Sequence, residues 1–275
     1  PNTRMSKNAL YNAAFGYNRT YVHNIKEADP KTDFSKTRTH FFDCTAHARS
    51  HLTPIEDPAK TRMVFGIPWL FLMVELMLLW PLMNWLRKGT TPIAWSYEIM
   101  TGGMRKLNQQ THDGDLYLCL DWSQFDKRTR YIFIDKIHAM WKSWMSKDSG
   151  DMPTVEYPST TQPHGPRIFQ QRINNLWNWM SAYLKGMDIK LPDDSKWRKL
   201  HSGVASGFMQ TQILDSFINL LMLLTILIYL KVPLPEFQLV LGDDSVLIIL
   251  ILETLTARRC FKQSLMLEKS CLALS

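Results

Sequence analysis

The chain has 275 residues, of which 45% are hydrophobic and 21% charged, and this composition excludes a disordered or fibrous protein. Lys and Arg together number 32 against 25 for Asp and Glu, and the resulting net charge of +7 favours a polyanionic partner. Nucleic acid is the first candidate and an anionic membrane the second. The four cysteines stand far apart without a Cys-x-x-Cys pair, which argues against a disulfide framework or a four-thiolate zinc site and fits a reducing compartment. Because the chain starts at Pro1, we expect an internal piece of a longer protein, without a signal peptide.

The first 60 residues are polar, with aromatic residues interleaved among basic ones. This mixture is typical of a surface that faces nucleic acid, and equally of an ordinary solvated segment. Residues 68–87 are strongly apolar and predict a helix that is kinked or ended near Pro81. Residues 115–121 run apolar between two acids and predict a strand.

Two further helices are predicted by apolar residues at helical spacing, the first stopping at Gly150 and the second at Gly186. The residues that mark them are Ile134, Ile137, Trp141 and Trp144, and then Phe169, Ile173, Trp177, Met180 and Leu184. Four prolines between positions 149 and 166 predict a loop that separates the two helices.

The last part of the chain predicts a polar loop over 192–195, a long helix over 210–230 and then a hairpin. Its strands are expected over 237–241 and 246–251, joined by a tight Gly-Asp-Asp turn.

Residues 70–80 and 220–230 are apolar enough to raise the question of a membrane. A spanning helix needs about 20 predominantly apolar residues. Glu75 interrupts the first run, and polar residues precede the second. We therefore expect two buried core helices and no stable membrane insertion, with a membrane-associated helical protein as the alternative.

The turn at Gly242, Asp243 and Asp244 joins two adjacent acids to an otherwise apolar hairpin. Hairpin tips are usually polar, so a Gly-Asp turn chosen for its backbone is the simpler explanation. A second acid, Asp121, ends the apolar strand of residues 116–120. If both strands lie side by side in one sheet, their carboxylates can hold two divalent cations about 3.5–4 Å apart, as in phosphoryl transfer.

A third element is the glycine-containing turn of residues 201–207, which leads into the long helix. Thr211, Asp215 and Asn219, or alternatively Ser216 and Asn219, recur at spacings of three and four residues and share one face of this apolar helix. Such a stripe is either part of a site or a set of satisfied hydrogen bonds in the core.

Taken in order, these elements resemble the RNA-dependent RNA polymerases of RNA viruses. The first palm motif of that family is matched by D-W-S-Q-F-D at 121–126, the second by S-G-F-M-Q-T and D-S-x-x-N within 206–219, and the third by G-D-D. A basic fingers motif is matched by D-P-A-K-T-R-M-V-F-G-I-P at 57–68. The residues of these motifs are most similar to those of partitivirus polymerases, in particular the polymerases of plant cryptic viruses.

The resemblance implies an α+β right-hand polymerase, with mostly helical fingers and a palm of a small antiparallel sheet plus helices. It implies fingers at 1–110, palm at 111–148, a fingers insertion at 149–200 and palm again at 201–275. Only 31 residues follow Asp244, so we expect the thumb to be largely absent.

The resemblance also implies roles for individual residues. Asp121, Asp243 and Asp244 would be the catalytic metal ligands for two Mg²⁺ or Mn²⁺ ions. Lys60 and Arg62 would hold the triphosphate of the incoming nucleotide. The residues implied around the nucleotide and its ribose are Asp126, Ser206, Gly207, Thr211, Asp215 and Asn219.

The expected partners are an RNA template and product, NTPs and a viral capsid protein, in the cytoplasm or inside the virion. One alternative is a non-catalytic remnant that keeps the fold and RNA affinity. A reverse transcriptase is disfavoured, because those enzymes usually carry an aromatic-x-Asp-Asp pattern, and Gly242 stands before the acid pair here. Cys44, His47 and His51 have a spacing that would put three zinc ligands on one helical face.

Overall fold

The computed structural model describes residues 7–50, 52–56, 61–88, 91–111, 117–145, 166–235 and 237–248. The helices are α1 (Lys7–Lys26), α2 (Phe34–Thr37), α3 (Trp69–Leu86), α4 (Gly103–Gln110), α5 (Phe125–Arg128), α6 (Tyr131–Trp144), α7 (Pro166–Gly186) and α8 (Thr211–Tyr229). The strands are β1 (Cys44–Ser50), β2 (Thr61–Gly66), β3 (Tyr117–Leu120), β4 (Asp188–Lys190), β5 (Lys196–Arg198), β6 (Gln238–Leu241) and β7 (Asp244–Ile248). Two short 3₁₀ turns, Ala94–Ser96 and Ile99–Thr101, precede α4.

These elements form two compact units, and the chain passes between them more than once. The first unit comprises residues 1–80 and 126–209, and the second comprises residues 81–125 and 210–275. The boundaries differ from the expected bounds of fingers and palm. Compact units are defined by their internal contacts, whereas fingers and palm are defined by function. The expected bounds of fingers and palm therefore stay a prediction.

The first unit is built around α7, whose inner face is almost entirely buried. Tyr183 packs against Phe71 of α3 and Phe41, with ring centroids 4.6 and 5.1 Å apart, and against Trp179 at 5.4 Å. Beside this aromatic core lies a four-stranded sheet in the order β2-β1-β4-β5. Strands β1 and β4 are parallel and the other neighbours antiparallel, which leaves β2 at an edge.

The second unit contains a three-stranded antiparallel sheet in the order β3-β7-β6, against which α8 packs. The buried face of α8 includes Ile213, Leu214, Ile218, Leu223 and Leu227. Pro92 accepts a backbone hydrogen bond from Val240 of β6, which ties the segment before α4 to the sheet.

The predicted helices at 68–87 and 210–230, the helix closed by Gly186, the strand before Asp121 and a hairpin around Gly242 are confirmed. The returning strand begins at Asp244 and not at residue 246, and residues 249–251 of its predicted range lie outside the described residues. Of the two alternatives predicted at Pro81, an end of the helix is wrong, because α3 continues through Pro81 to Leu86, and a kink stays a prediction. Pro81 lies on the exposed side of the helix, where the carbonyl that loses its intrahelical donor can turn toward water. The predicted stop at Gly150 and the proline-rich loop lie outside the described residues.

Among the described residues, α3 and α8 are long and apolar enough to cross a membrane by length and composition alone. Their mean hydropathies are 1.6 and 1.8. Core helices of soluble proteins meet the same criterion. The expectation of no membrane insertion therefore stays a prediction.

Candidate active site

The register of the second unit's sheet brings the predicted acidic positions to one edge. Leu120 of β3 pairs with Ser245 of β7, so the next residue, Asp121, continues beside Asp244. Neighbouring strands lie about 4.8 Å apart. Asp243 belongs to the turn between β6 and β7, and all three acids are exposed. We call Asp121, Asp243 and Asp244 the acidic edge; the expectation that their strands are neighbours in one sheet is confirmed.

The turn before Asp244 requires glycine only because of the backbone conformation at position 242. Leu241 pairs with Asp244, which leaves Gly242 and Asp243 as a two-residue loop. Gly242 has φ of +66°, whereas Asp243 is not among the residues with positive φ, a combination typical of a type II′ turn. A Cβ at position 242 would meet nothing within 4 Å, so conformation and not space selects glycine here.

Buried polar side chains of α8 hold this turn from below. Ser216 Oγ accepts a hydrogen bond from the Gly242 amide at 2.8 Å. The Asn219 amide donates to the carbonyls of Gly242 and Asp244 at 3.0 and 3.2 Å. Asn219 Oδ1 accepts from Trp122 Nε1 at 2.8 Å. Strand ends and turn are thus linked through one helix.

The acidic edge has the donor chemistry for hard divalent cations, since exposed carboxylate oxygens are the ligands that Mg²⁺ and Mn²⁺ prefer. Among the described residues, no three or more His, Cys, Asp or Glu side chains are grouped so that they could hold a metal ion. The backbone therefore brings the three acids to one edge, while their side chains are not gathered into a finished site. Thr211 starts α8, and Asp215 lies half-buried one turn further on.

The residues predicted on the glycine-containing turn lie in the first unit and rest on β2. Ser206 Oγ donates to the Met63 carbonyl at 3.1 Å. Gly207 has φ of +108°, and a Cβ there would lie 2.4 Å from the Phe65 carbonyl oxygen. Glycine is therefore required at position 207 by both conformation and close approach.

The same loop is anchored at its other end by a buried acid. The Met209 amide donates to Glu75 Oε2 at 3.1 Å, and Glu75, in the middle of apolar α3, is 0% exposed. The polar residue that interrupts the first apolar run thus has a structural role. Asp126, also in the first unit, is exposed, and its backbone carbonyl accepts from the Val204 amide at 2.9 Å.

Arg62 lies on β2 with another arginine directly opposite. In the antiparallel pairing of β1 and β2, Arg49 is the partner of Arg62, and both are exposed. Side chains at paired positions stand on the same face, where like charges repel. In the part of the chain that the structure describes, neither guanidinium has an acidic partner within 4 Å. We call β1, β2 and these two arginines the basic hairpin; Lys60 lies outside the described residues.

Arg49 was missed by sequence reasoning, although a signal was present. Residues 46–49 read Ala-His-Ala-Arg, and alternation with period two is typical of a strand.

The zinc hypothesis for Cys44, His47 and His51 is wrong in its geometry. Residues Cys44–Ser50 form β1 and not a helix, so Cys44 and His47 point to opposite faces of the sheet. The Cys44 thiol is buried 3.4 Å from Tyr183 Oη and 3.2 Å from Met187 Sδ. Burial raises its pKa to about 11, which disfavours the thiolate that a metal needs. His51 lies outside the described residues.

Comparison with known proteins places this geometry in context. The model of a family described as viral RNA-dependent RNA polymerase matches residues 9–257. The RNA-directed RNA polymerase of White clover cryptic virus 1 is 33% identical over 249 residues, covering 86% of this chain and 40% of the relative. That of Atkinsonella hypoxylon virus is 27% identical over 277 residues, covering 88% and 41%. The chain therefore spans about two fifths of the length of these curated relatives.

Solved structures show the same fold. The RNA-dependent RNA polymerase of a human picorbirnavirus superposes with a TM-score of 0.54 at 18% identity, covering 75% of this chain and 35% of that one. Its insertion-loop deletion mutant gives a TM-score of 0.55, covering 80% and 39%. Both agree with the α+β architecture expected from the sequence.

Proposed function

Because this chain belongs to the viral RNA-dependent RNA polymerase family, we propose that it forms fingers and palm of an enzyme that copies RNA from NTPs. The observation that carries the proposal is the pairing of β3 with β7, which sets Asp121 beside the Gly-Asp-Asp turn. Two strands that deliver carboxylates to one exposed edge suit an enzyme that must neutralise phosphate charge.

The three carboxylates of the acidic edge would hold two Mg²⁺ or Mn²⁺ ions. When bound, such ions supply charge neutralisation at the reacting phosphate and lower the pKa of the attacking hydroxyl. The exposure of the acids supports this role, since a cation and a nucleotide must reach them from solvent.

The basic hairpin would hold the triphosphate. Arg49 and Arg62 stand opposite each other without an acidic partner among the described residues, so an anion that bridges them would relieve their repulsion. Guanidinium groups suit phosphate because each can donate two parallel hydrogen bonds. Lys60, two residues before Arg62, would add a third cation.

The ribose would be recognised by exposed polar groups near the glycine-containing turn. Asp126 is an acceptor available to a 2′-hydroxyl, and Ser206 and Gly207 lie on the loop that rests on β2. Thr211 and Asp215 are the further candidates on α8. Asn219 is expected to contribute least, since its amide is already occupied inside the second unit.

RNA would bind the first unit through a cleft of about 690 Å³ beside α7. The cleft is bordered by five basic side chains and by two acids, Asp33 and Asp135. Lys185 pairs with Asp135, and both arginines pair with Asp188, so five positive charges stand against three negative ones and an excess of positive charge remains. The basic side chains are Lys31, Arg38, Lys185, Arg198 and Lys199.

The test is primer extension on an RNA template with Mg²⁺ and NTPs. The chain is assayed alone and in place of the matching segment of the White clover cryptic virus 1 polymerase, each as wild type and Asp243→Asn. Extension by wild type that is lost in Asp243→Asn is the expected result. RNA binding without any Asp243-dependent extension in either setting would overturn the proposal in favour of a non-catalytic remnant.

A further inference from the structure

Two side chains of α8, one helical turn apart, satisfy the backbone of the Gly-Asp-Asp turn. In a two-residue hairpin loop the first central residue has no partner in the ladder, so the N–H and C=O of Gly242 need other partners. Ser216 accepts from the N–H and Asn219 donates to the C=O. Both side chains are 0% exposed, so water does not substitute for them.

Asn219 also connects this turn to the other acidic strand. Its second amide hydrogen reaches the Asp244 carbonyl, and its oxygen accepts from Trp122, the residue after Asp121. An asparagine has two donor hydrogens and one acceptor oxygen, and all are in use. No hydrogen remains for a ribose hydroxyl, so the contacts of Asn219 differ from those implied by the family resemblance.

Side-chain space at position 242 does not limit the conformation of the turn. Gly242 is the residue type with the widest choice of backbone conformations, and the space where its Cβ would lie is empty. The hydrogen bonds from α8 therefore act together with the Leu241–Asp244 pairing to hold the turn in one conformation. A buried polar network with every member satisfied is rigid and specifies a single arrangement.

We propose that Ser216, Asn219 and Trp122 are positioning residues that fix the spacing of the acidic edge and so set its affinity for divalent cations. The inference rests on the proposed function, because it assumes that these acids bind metal. None of the three residues touches the cation. They act through the backbone of Gly242 and Asp244 and through the chain next to Asp121.

The mildest variant is Ser216→Ala, and Thr225 provides a matched control. Both hydroxyls donate to the carbonyl four residues earlier in α8, Ser216 to Gln212 and Thr225 to Leu221. Only Ser216 also accepts from Gly242. Thr225→Ala therefore removes the same bond within the helix and leaves the turn untouched.

A second pair tests the link to Asp121. Trp122→Phe removes the indole N–H that binds Asn219. Trp95→Phe is its control: it removes the indole N–H of Trp95, which is buried in the same unit and has no hydrogen-bond partner among the described residues. This pair keeps the test decisive if Ser216→Ala fails to fold.

Binding of Mn²⁺ alone to the 275-residue chain is measured by electron paramagnetic resonance, together with hydrogen exchange of the Gly242 amide. For Ser216→Ala we expect about tenfold weaker Mn²⁺ binding and about tenfold faster exchange, the scale of one ordinary hydrogen bond. Trp122→Phe should weaken Mn²⁺ binding similarly. Thr225→Ala and Trp95→Phe should match wild type in both measurements.

The outcomes separate this inference from the proposed function. If wild type shows no Mn²⁺ binding that Asp243→Asn removes, the metal site fails and the inference fails with it. If that binding is present but unchanged in folded Ser216→Ala and Trp122→Phe, the metal site stands and the positioning role is wrong. Equal weakening in the two controls would also overturn it.

Discussion

The acidic edge and the basic hairpin are both charged and exposed, but they differ in how far the surrounding structure fixes their charged residues. At the acidic edge, two ladder pairings and a buried hydrogen-bond network fix the backbone that carries the acids. In the basic hairpin, the strands extend into solvent and both arginine side chains lack an acidic partner among the described residues. The backbone of the acidic edge is therefore fixed by the fold. In the basic hairpin, two positive charges face each other, and no acidic side chain among the described residues neutralises them.

The difference corresponds to what each region would bind. Metal ligands must meet a cation at 2.0–2.1 Å from several directions, so the carboxylates need an accurate scaffold. A triphosphate offers many oxygens and can be met by long, mobile guanidinium side chains. We infer that rigidity is concentrated where the geometry is demanding, and the predictions below test each side of this contrast.

The largest effect is expected at the acidic edge. Asp243→Asn should abolish metal-dependent nucleotide addition, since an amide is a much poorer ligand for a hard cation. Its thermal stability should stay near that of wild type or rise, because repulsion among neighbouring exposed carboxylates falls. Primer extension and a melting curve measure the two effects. An unchanged extension rate would remove the acidic edge from the chemistry.

The next effect concerns Asp126, which is exposed like the arginines and outside the buried network. Asp126→Ala should reduce ribonucleotide addition by orders of magnitude more than deoxyribonucleotide addition, because a site built to bind a hydroxyl discriminates strongly. The ratio of NTP to dNTP addition on one primed template gives the answer, with Glu98→Ala as an exposed control. Equal loss for both nucleotides would assign Asp126 to folding or metal binding instead.

Sequence patterns predicted the regular part of this fold well. Long apolar helices and the strands that end in acids carry a clear period, and α3, α7, α8, β3 and the β6–β7 hairpin were found from it. The 20-residue helix α1 was missed because, over residues 8–26, where burial is described, only Asn18, Val22 and Ile25 are buried. Strands β4 and β5 have three residues each, too few for a period.

The candidate site shows the same limit. The carboxylates were found because acids at the ends of apolar strands are unusual. The partners of Asn219 were not, since Trp122 is 97 residues away and Gly242 is 23 residues away in the chain. The position of Arg49 opposite Arg62 follows from the register of β1 against β2, which the alternation of residues 46–49 alone does not give. Contacts between distant segments depend on topology, which a single sequence does not reveal.

At the basic hairpin we expect smaller effects than at the acidic edge. Arg62→Ala and Arg49→Ala should each weaken NTP binding by about 1.5–3 kcal/mol, the worth of a hydrogen bond to a charged group. Without NTP, either variant should unfold at the same or a higher denaturant concentration, since one of two opposed charges is gone. Titration with NTP and urea unfolding are the measurements, with exposed Arg105→Ala as the control. Weaker binding in Arg62→Ala alone would exclude Arg49 from the site.

The smallest effect concerns what supports the basic hairpin in the absence of a ligand. The loop at Ser206 and Gly207 rests on β2, and a Cβ at position 207 would meet the Phe65 carbonyl oxygen at 2.4 Å with φ at +108°. Gly207→Ala should therefore lower the free energy of unfolding by about 1–3 kcal/mol, the scale of local backbone strain. Amide exchange along β2 should accelerate, because the loop must move away from the strand.

Two other glycines separate the causes of that loss. Gly16 lies in α1 with nothing within 4 Å of its Cβ position, so Gly16→Ala should raise the free energy of unfolding by about 0.5–1 kcal/mol. Gly102 has φ of +91° and equally open space, so Gly102→Ala measures the cost of conformation alone. Gly207→Ala should exceed Gly102→Ala, and the excess is the contact with β2. If the two variants lose the same stability, the contact between the loop and β2 does not stabilise the basic hairpin.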